Sequence, residues 1–130
     1  ENNVVADYNA PYRTNGKYHF ADLDGLRGFV EIFDHPNIFA LIDAAHLKVT
    51  ARTLEFDPVH FLERLRPKIR AIHLSDNDGR SDQNLPVSES SWFWDHLPWS
   101  QVEYISLEVY NISVSEMKKQ IALTRECSGV

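Results

Sequence analysis

Residues 69–78 read IRAIHLSDND, a short apolar run that passes directly into a polar loop. The run 69–74 is mostly apolar and too short for a helix, which is typical of a strand buried on both faces of a parallel sheet. Residues 38–42 (IFALI) and 102–109 (VEYISLEV) repeat this pattern. Such runs, separated by helical patterns, predict an α/β fold with parallel strands and flanking helices.

Helical patterns lie before, between and after these strand candidates. Apolar side chains recur at steps of three and four over residues 22–34, which predicts a helix. Asp57 followed by Pro58 predicts the start of another helix, because aspartate caps helices and proline suits the first helical position. Ser113 and Glu116 have the spacing of a capping box, which predicts the start of a last helix.

Composition restricts the class of protein. The chain has 130 residues, 43% hydrophobic and 25% charged, as expected of one globular domain. No apolar run approaches the roughly 20 residues that cross a bilayer, so we expect no membrane partner. The formal charge of −6 disfavours nucleic acid as a partner. The single cysteine, Cys127, favours a reducing compartment and a cytoplasmic location.

The start of the chain suggests that more protein precedes it. Glu1 is not a methionine, and no leader sequence follows it. A parallel sheet of about three strands also needs neighbours to protect its edges. We therefore expect residues 1–130 to be the C-terminal part of a longer protein.

Polar residues occur where the apolar strands end. Asp43 follows residues 38–42, His73 is near the end of the next run, and Glu108 is near the end of the last. Glu1 has the equivalent place if a strand precedes it. The carboxyl ends of parallel strands converge, so these side chains are expected to meet. Three carboxylates and one imidazole suit one divalent ion such as Mn²⁺, Mg²⁺, Co²⁺ or Zn²⁺.

Asp43, His73 and the nearby His46 also have ordinary structural interpretations. A carboxylate at a strand end, such as Asp43, is often a helix cap or a turn residue. His73 within an apolar run is also compatible with a hydrogen-bonded core histidine. His46 is compatible with a surface loop, with substrate binding or with a second metal site. The coincidence of candidates at matching strand ends favours the functional interpretation.

Four segments resemble, in order, motifs of the xylose isomerase-like TIM-barrel superfamily. Residues 41–46 (LIDAAH) resemble its L-x-D-x-x-H motif after the sixth strand. Residues 72–79 (IHLSDNDG) are similar to its seventh-strand segment, and residues 106–109 (SLEV) to its eighth. Residues 1–3 (ENN) are similar to the segment that closes the fifth strand. The resemblance implies the C-terminal half of a (β/α)8 TIM barrel, from the end of strand five to strand eight.

The resemblance also implies roles for the matched residues. Glu1, Asp43, His73 and Glu108 would be the metal ligands. In the epimerase-type members, the glutamates that match Glu1 and Glu108 also form the acid and base pair.

Substrate binding is assigned to residues near this centre. The resemblance implies that His46 contacts substrate, and we assign Asp76 and Asp82 of the loop 75–91 to the same role. In the endonuclease branch of the superfamily, the counterpart of His46 binds an additional zinc. Asn84 stands where the family often has a histidine, and serines replace two loop glycines. The changed loop weakens the match to the endonuclease branch.

Three functions follow from these residues and the resemblance. The first is a metal-dependent sugar or sugar-phosphate isomerase or epimerase, active when the barrel is complete and inactive as this fragment alone. The second is a metal phosphodiesterase of the type that cuts DNA at abasic sites. The third is a non-catalytic half-barrel that self-associates or binds a chain carrying the missing N-terminal half.

Overall fold

The computed structural model describes residues 1–8 and 35–129, and the helix predicted over residues 22–34 lies outside them. Within the described residues, a parallel sheet contains β1 (Ala40–Asp43), β2 (Ile69–Leu74) and β3 (Tyr104–Leu107) in that order. The predicted α/β fold with parallel strands is confirmed at this level.

Helices flank the sheet. Between β1 and β2 the chain forms α1 (Ala44–Thr53) and α2 (Pro58–Leu65), and after β3 it forms α3 (Val114–Ser128). Each connection between neighbouring strands therefore returns the chain to the same end of the sheet, as parallel pairing requires. The carboxyl ends of all three strands consequently lie at the same edge of the sheet.

The bounds of β2 are as predicted, but those of its two neighbours are not. β1 begins at Ala40 and includes Asp43, whereas residues 38–42 were expected. Ala40 is the Cα partner of Ile69, the first residue of β2, so earlier residues have no strand beside them. β3 ends at Leu107, so Glu108 follows the strand and does not lie inside it. These limits depend on pairing with β2, and the residues of a single strand do not show where that pairing begins or ends.

Helix α1 was not predicted, and it changes the setting of His46. The Asp43 side chain caps the helix by accepting a hydrogen bond from the backbone N–H of His46 at 2.8 Å. His46 therefore lies in the first helical turn and not in a surface loop. Much of the buried face of α1 consists of alanines, which give only a weak apolar periodicity.

The other two helices begin where the sequence predicts. The Asp57 side chain accepts a hydrogen bond from the Val59 N–H at 2.9 Å at the start of α2. Ser113 and Glu116 form the reciprocal capping box of α3. Both caps satisfy N–H groups that the first helical turn leaves without partners.

The apolar core lies around β2. Its largest fully buried side chains include Ile42, Leu47, Phe61, Leu62, Ile72, Leu74 and Phe93. The tryptophans join this packing, and the Trp94 indole also donates a hydrogen bond to the Ser88 carbonyl at 2.7 Å. β3 is more exposed than the other strands, with Tyr104 71% exposed. Among the described helices, none has the length and apolar character needed to span a membrane.

Candidate functional site

The ends of β1 and β2 bring Asp43 and His73 side by side. The two residues are Cα partners across the strand pair, which places both side chains at the same edge of the sheet. Glu1 reaches this point from the amino-terminal segment. One potential ligand atom from each of these three residues lies within 4.8 Å of the others. Three of the four predicted metal ligands therefore form one cluster.

Glu108 joins the cluster through its contact with His73. Its Oε1 lies 2.9 Å from His73 Nδ1, and Glu1 Oε2 lies 3.8 Å from the same nitrogen. The backbone N–H of Glu108 donates to the Leu74 carbonyl at 2.9 Å, which continues the β2–β3 pairing one residue past β3. Both predicted acid and base residues thus face one imidazole nitrogen.

The Nδ1 atom of His73 is buried, and among the described residues it has no hydrogen-bond partner. The Glu108 oxygen is close enough, but it lacks the alignment that a hydrogen bond needs. Buried polar atoms in native proteins normally have a partner, so an unpaired imidazole nitrogen beside carboxylates is a notable exception. Such a nitrogen fits the donor set of a divalent ion.

Asn2 holds the first part of the cluster together, and the sequence interpretation missed it. Its side-chain amide donates to the Asp43 carbonyl at 3.0 Å and accepts from the Asp43 N–H at 2.7 Å. The residue is only 1% exposed. The amide therefore occupies the place of a neighbouring strand beside β1, and it fixes Glu1 next to Asp43. Its partner is distant along the chain, so no local pattern predicted this role.

His46 connects the cluster to the loop after β2. Its Nδ1 lies 3.1 Å from the Asn2 carbonyl, and its Nε2 lies 3.2 Å from Asp82 Oδ2. A carbonyl and a carboxylate can only accept hydrogen bonds, so the doubly protonated imidazolium satisfies both contacts. Burial acts to lower the pKa of His46, but Asp43, the Asn2 carbonyl, Asp82 and Glu1 outweigh it and raise that pKa. His46 therefore favours the imidazolium form.

The same concentration of acidic groups acts on Asp43, which is 1% exposed. Burial raises its pKa above the ordinary value, and nearby Asp82 and Glu108 act in the same direction. The His46 charge and backbone N–H oppose this effect without cancelling it. Because the Asp43 carboxyl resists ionisation, it gains from any added positive charge, either a proton or a metal ion.

The structure separates the two aspartates assigned to substrate binding. Asp82 contacts His46, and its Oδ1 is buried without a hydrogen-bond partner among the described residues. Asp76 has both carboxylate oxygens engaged, with Lys48 Nζ at 2.6 Å and Ser91 Oγ at 2.7 Å. Burial acts to raise the pKa of Asp76, but hydrogen bonds from Lys48, Ser91 and the Asn77 N–H outweigh it and lower that pKa.

The arrangement has the groups needed for two kinds of chemistry. Glu1, Asp43, His73 and Glu108 could together hold a divalent ion, and the two glutamates are also candidates for moving protons. His46 and Asp82 lie beside them as a hydrogen-bonding pair. No protein-family model, no curated protein and no solved structure matches this chain.

Proposed function

We propose that the protein is a metal-dependent isomerase or epimerase of sugars or sugar phosphates. In this proposal residues 1–130 are the C-terminal half of a (β/α)8 barrel. The observation that carries it is the convergence of Glu1, Asp43, His73 and Glu108 at one edge of a parallel sheet. Active sites of such barrels lie at the carboxyl ends of the strands.

A single divalent ion would be held by these four residues. Three carboxylates and one imidazole suit Mn²⁺, Mg²⁺, Co²⁺ or Zn²⁺. When bound, the ion would polarise the substrate carbonyl and stabilise the negative charge of an enediolate. The unpaired His73 Nδ1 and the raised pKa of the Asp43 carboxyl support a cation at this place.

Glu1 and Glu108 are proposed as the acid and base pair. Their carboxylates approach His73 Nδ1 to 3.8 and 2.9 Å, so both lie next to the same reacting region. One carboxylate removes the proton from the carbon beside the carbonyl, and the other returns a proton. Return to the same carbon on its other face yields an epimer. Return to the neighbouring carbon, together with transfer of the hydroxyl proton to the former carbonyl oxygen, yields an isomer.

His46 and Asp82 are proposed to orient the substrate. The His46 imidazolium is a hydrogen-bond donor, and the Asp82 carboxylate is an acceptor. A sugar hydroxyl has both properties, so it can replace the contact of 3.2 Å between the two side chains. The geometry of this pair therefore suits a polyhydroxylated substrate.

A phosphodiesterase acting at abasic sites is the second candidate. The contact between His46 and Asp82 favours it, because the counterpart of His46 in the endonuclease branch binds an additional zinc and the Asp82 carboxylate lies beside His46 as a further potential ligand. The formal charge of −6 opposes the approach of DNA, and Asn84 replaces a histidine common in that loop. The isomerase proposal is therefore preferred.

The test compares Glu108→Gln with Glu103→Gln in the intact protein. Glu103 precedes β3 at its opposite end and has a side chain 62% exposed, so it provides the same chemical change away from the site. Exchange of the hydrogen beside the carbonyl with deuterated water is followed by NMR for a panel of aldoses, ketoses and their phosphates. We expect Glu108→Gln to slow this exchange by about 10²-fold or more and Glu103→Gln to leave it unchanged.

Each other outcome is informative. Exchange at a normal rate in folded Glu108→Gln contradicts the assignment of Glu108 as a base. Metal-dependent cleavage of abasic DNA without exchange on any sugar supports the second candidate. A stable protein that binds no divalent ion overturns both enzymatic proposals and supports a non-catalytic binding domain.

A further inference from the structure

Hydrogen bonds hold the loop of residues 75–91 against helix α1, and they involve none of the candidate metal ligands. The Asn77 amide donates to the Ala45 carbonyl at 2.9 Å, and Asn77 is only 5% exposed. Lys48 Nζ donates to the Asp76 carboxylate at 2.6 Å and to the Asn77 carbonyl. Both connections run from α1 to the first residues of the loop.

Asp76 is the point at which the loop closes on itself. Its backbone exchanges two hydrogen bonds of 2.8 Å with Leu85, and its second carboxylate oxygen accepts from the Ser91 hydroxyl at 2.7 Å. Residues 77–84 therefore form an excursion, that is, a loop segment whose two ends are held together by the pairing of Asp76 with Leu85, which is called its base. The position of this base therefore constrains the positions of the residues in the excursion.

Asp82 belongs to this excursion and meets His46 on α1. Lys48 lies two residues after His46 on the same helix, and its Nζ donates to the Asp76 carboxylate at the base of the same excursion. The two contacts thus bridge the same pair of elements. Without Lys48, the partly buried Asp76 carboxylate would lose its only ion pair among the described residues, which favours its movement toward solvent.

We infer that Lys48 is a positioning residue. It holds the base of the excursion in place, so that Asp82 contacts Nε2 of His46. This contact orients the His46 ring beside the candidate metal ligands. This inference rests on the proposed function only for the meaning of the cluster as a substrate site. The geometry that Lys48 controls is independent of which reaction follows.

The test measures the His46 ring directly in the intact protein labelled with ¹⁵N-histidine. Imidazole spectra at one pH are compared for the wild type, Lys48→Met, Asp82→Asn and the double variant. We expect Lys48→Met to shift the Nε2 resonance of His46 toward its position in Asp82→Asn. We expect no further shift when Lys48→Met is added to Asp82→Asn, because Lys48 acts through Asp82.

Two further variants separate positioning from general loss of structure. Lys48→Arg retains the positive charge and should restore the wild-type resonance. Lys118→Met makes the same change at an exposed site on α3 and should leave the resonance where it is. If Lys48→Met does not fold, Asp76→Asn removes the same ion pair and should give the same shift.

An unchanged His46 signal in folded Lys48→Met overturns the inference. So does a shift of equal size in the presence and absence of Asp82→Asn, because Lys48 would then act by another route. Neither result depends on catalytic activity, so failure of the proposed function leaves this test intact.

Discussion

At the scale of single residues, the site is organised by polar side chains that replace backbone partners. The Asn2 amide pairs with both backbone groups of Asp43, and the Asn2 carbonyl lies against His46. Asp43, His73 and Glu108 could be predicted as candidate ligands, because each lies at or near the end of an apolar run. Asn2 could not, because its contact with Asp43 spans 41 residues of sequence.

Replacing Asn2 by alanine should weaken both folding and metal binding. The change leaves a buried N–H and a buried carbonyl of Asp43 without their partner, which costs about 1–3 kcal/mol for each unsatisfied group. Loss of such a supporting contact typically lowers metal affinity by about 10–100-fold. Denaturant unfolding and calorimetric titration with Mn²⁺ measure the two effects.

The neighbouring change Asn3→Ala is the control for this prediction. Asn3 is exposed and directly follows Asn2 in the chain, and its side-chain oxygen accepts from the Val4 N–H. We expect it to leave metal affinity nearly unchanged. Equal losses of affinity in the two variants would show that the Asn2 amide has no special part in placing Glu1 and Asp43.

At the scale of elements, helix starts are decided locally and strand limits are not. The capping aspartate of α2 and the capping box of α3 were predicted because a few adjacent residues make each cap. The start of β1 was misplaced because it depends on where β2 begins. Helix α1 escaped prediction because alanines and a threonine make up much of its buried face, which leaves little apolar periodicity in the sequence although alanine favours helices.

Replacing Ser113 by alanine should destabilise the start of α3. The hydroxyl accepts a hydrogen bond from the Glu116 N–H at 3.2 Å, and its loss typically costs about 1 kcal/mol. The effect should appear as faster hydrogen exchange at the Glu116 amide. Ser115→Ala, within the first turn of the same helix, should leave that exchange nearly unchanged. Equal acceleration in the two variants would argue against the cap.

At the scale of the whole molecule, the acidic cluster links stability to pH and, under the proposed function, to metal binding. The pKa of His46 is raised above its ordinary 6.5, so the folded state binds this proton more tightly than the unfolded chain does. The resulting stability is fully present below pH 6.5 and is lost as pH rises through the folded pKa. The raised pKa of Asp43 has the same sign, because its buried ionised form is unfavourable at neutral pH.

The metal-free protein should therefore lose the stability that His46 contributes as pH rises from 6.5 through the higher folded pKa of this residue. Divalent ions should oppose that loss, because they bind the deprotonated ligands more tightly as pH rises. At about 100 times its dissociation constant, an ion should add about 2.7 kcal/mol of stability. Thermal unfolding across this pH range, with chelator and with Mn²⁺, measures both trends. Parallel curves with and without the ion would contradict the coupling.

Local sequence patterns were enough to predict the α/β class, the bounds of β2, the caps of two helices and the candidate residues near the strand ends. These features depend on neighbouring residues or on short periodic patterns. The contacts of Asn2 with Asp43, of His46 with Asp82 and of Lys48 with Asp76 became known from the folded chain alone. Such contacts join residues that are far apart in the chain, and their geometry exists only after the strands have paired and the helices have packed.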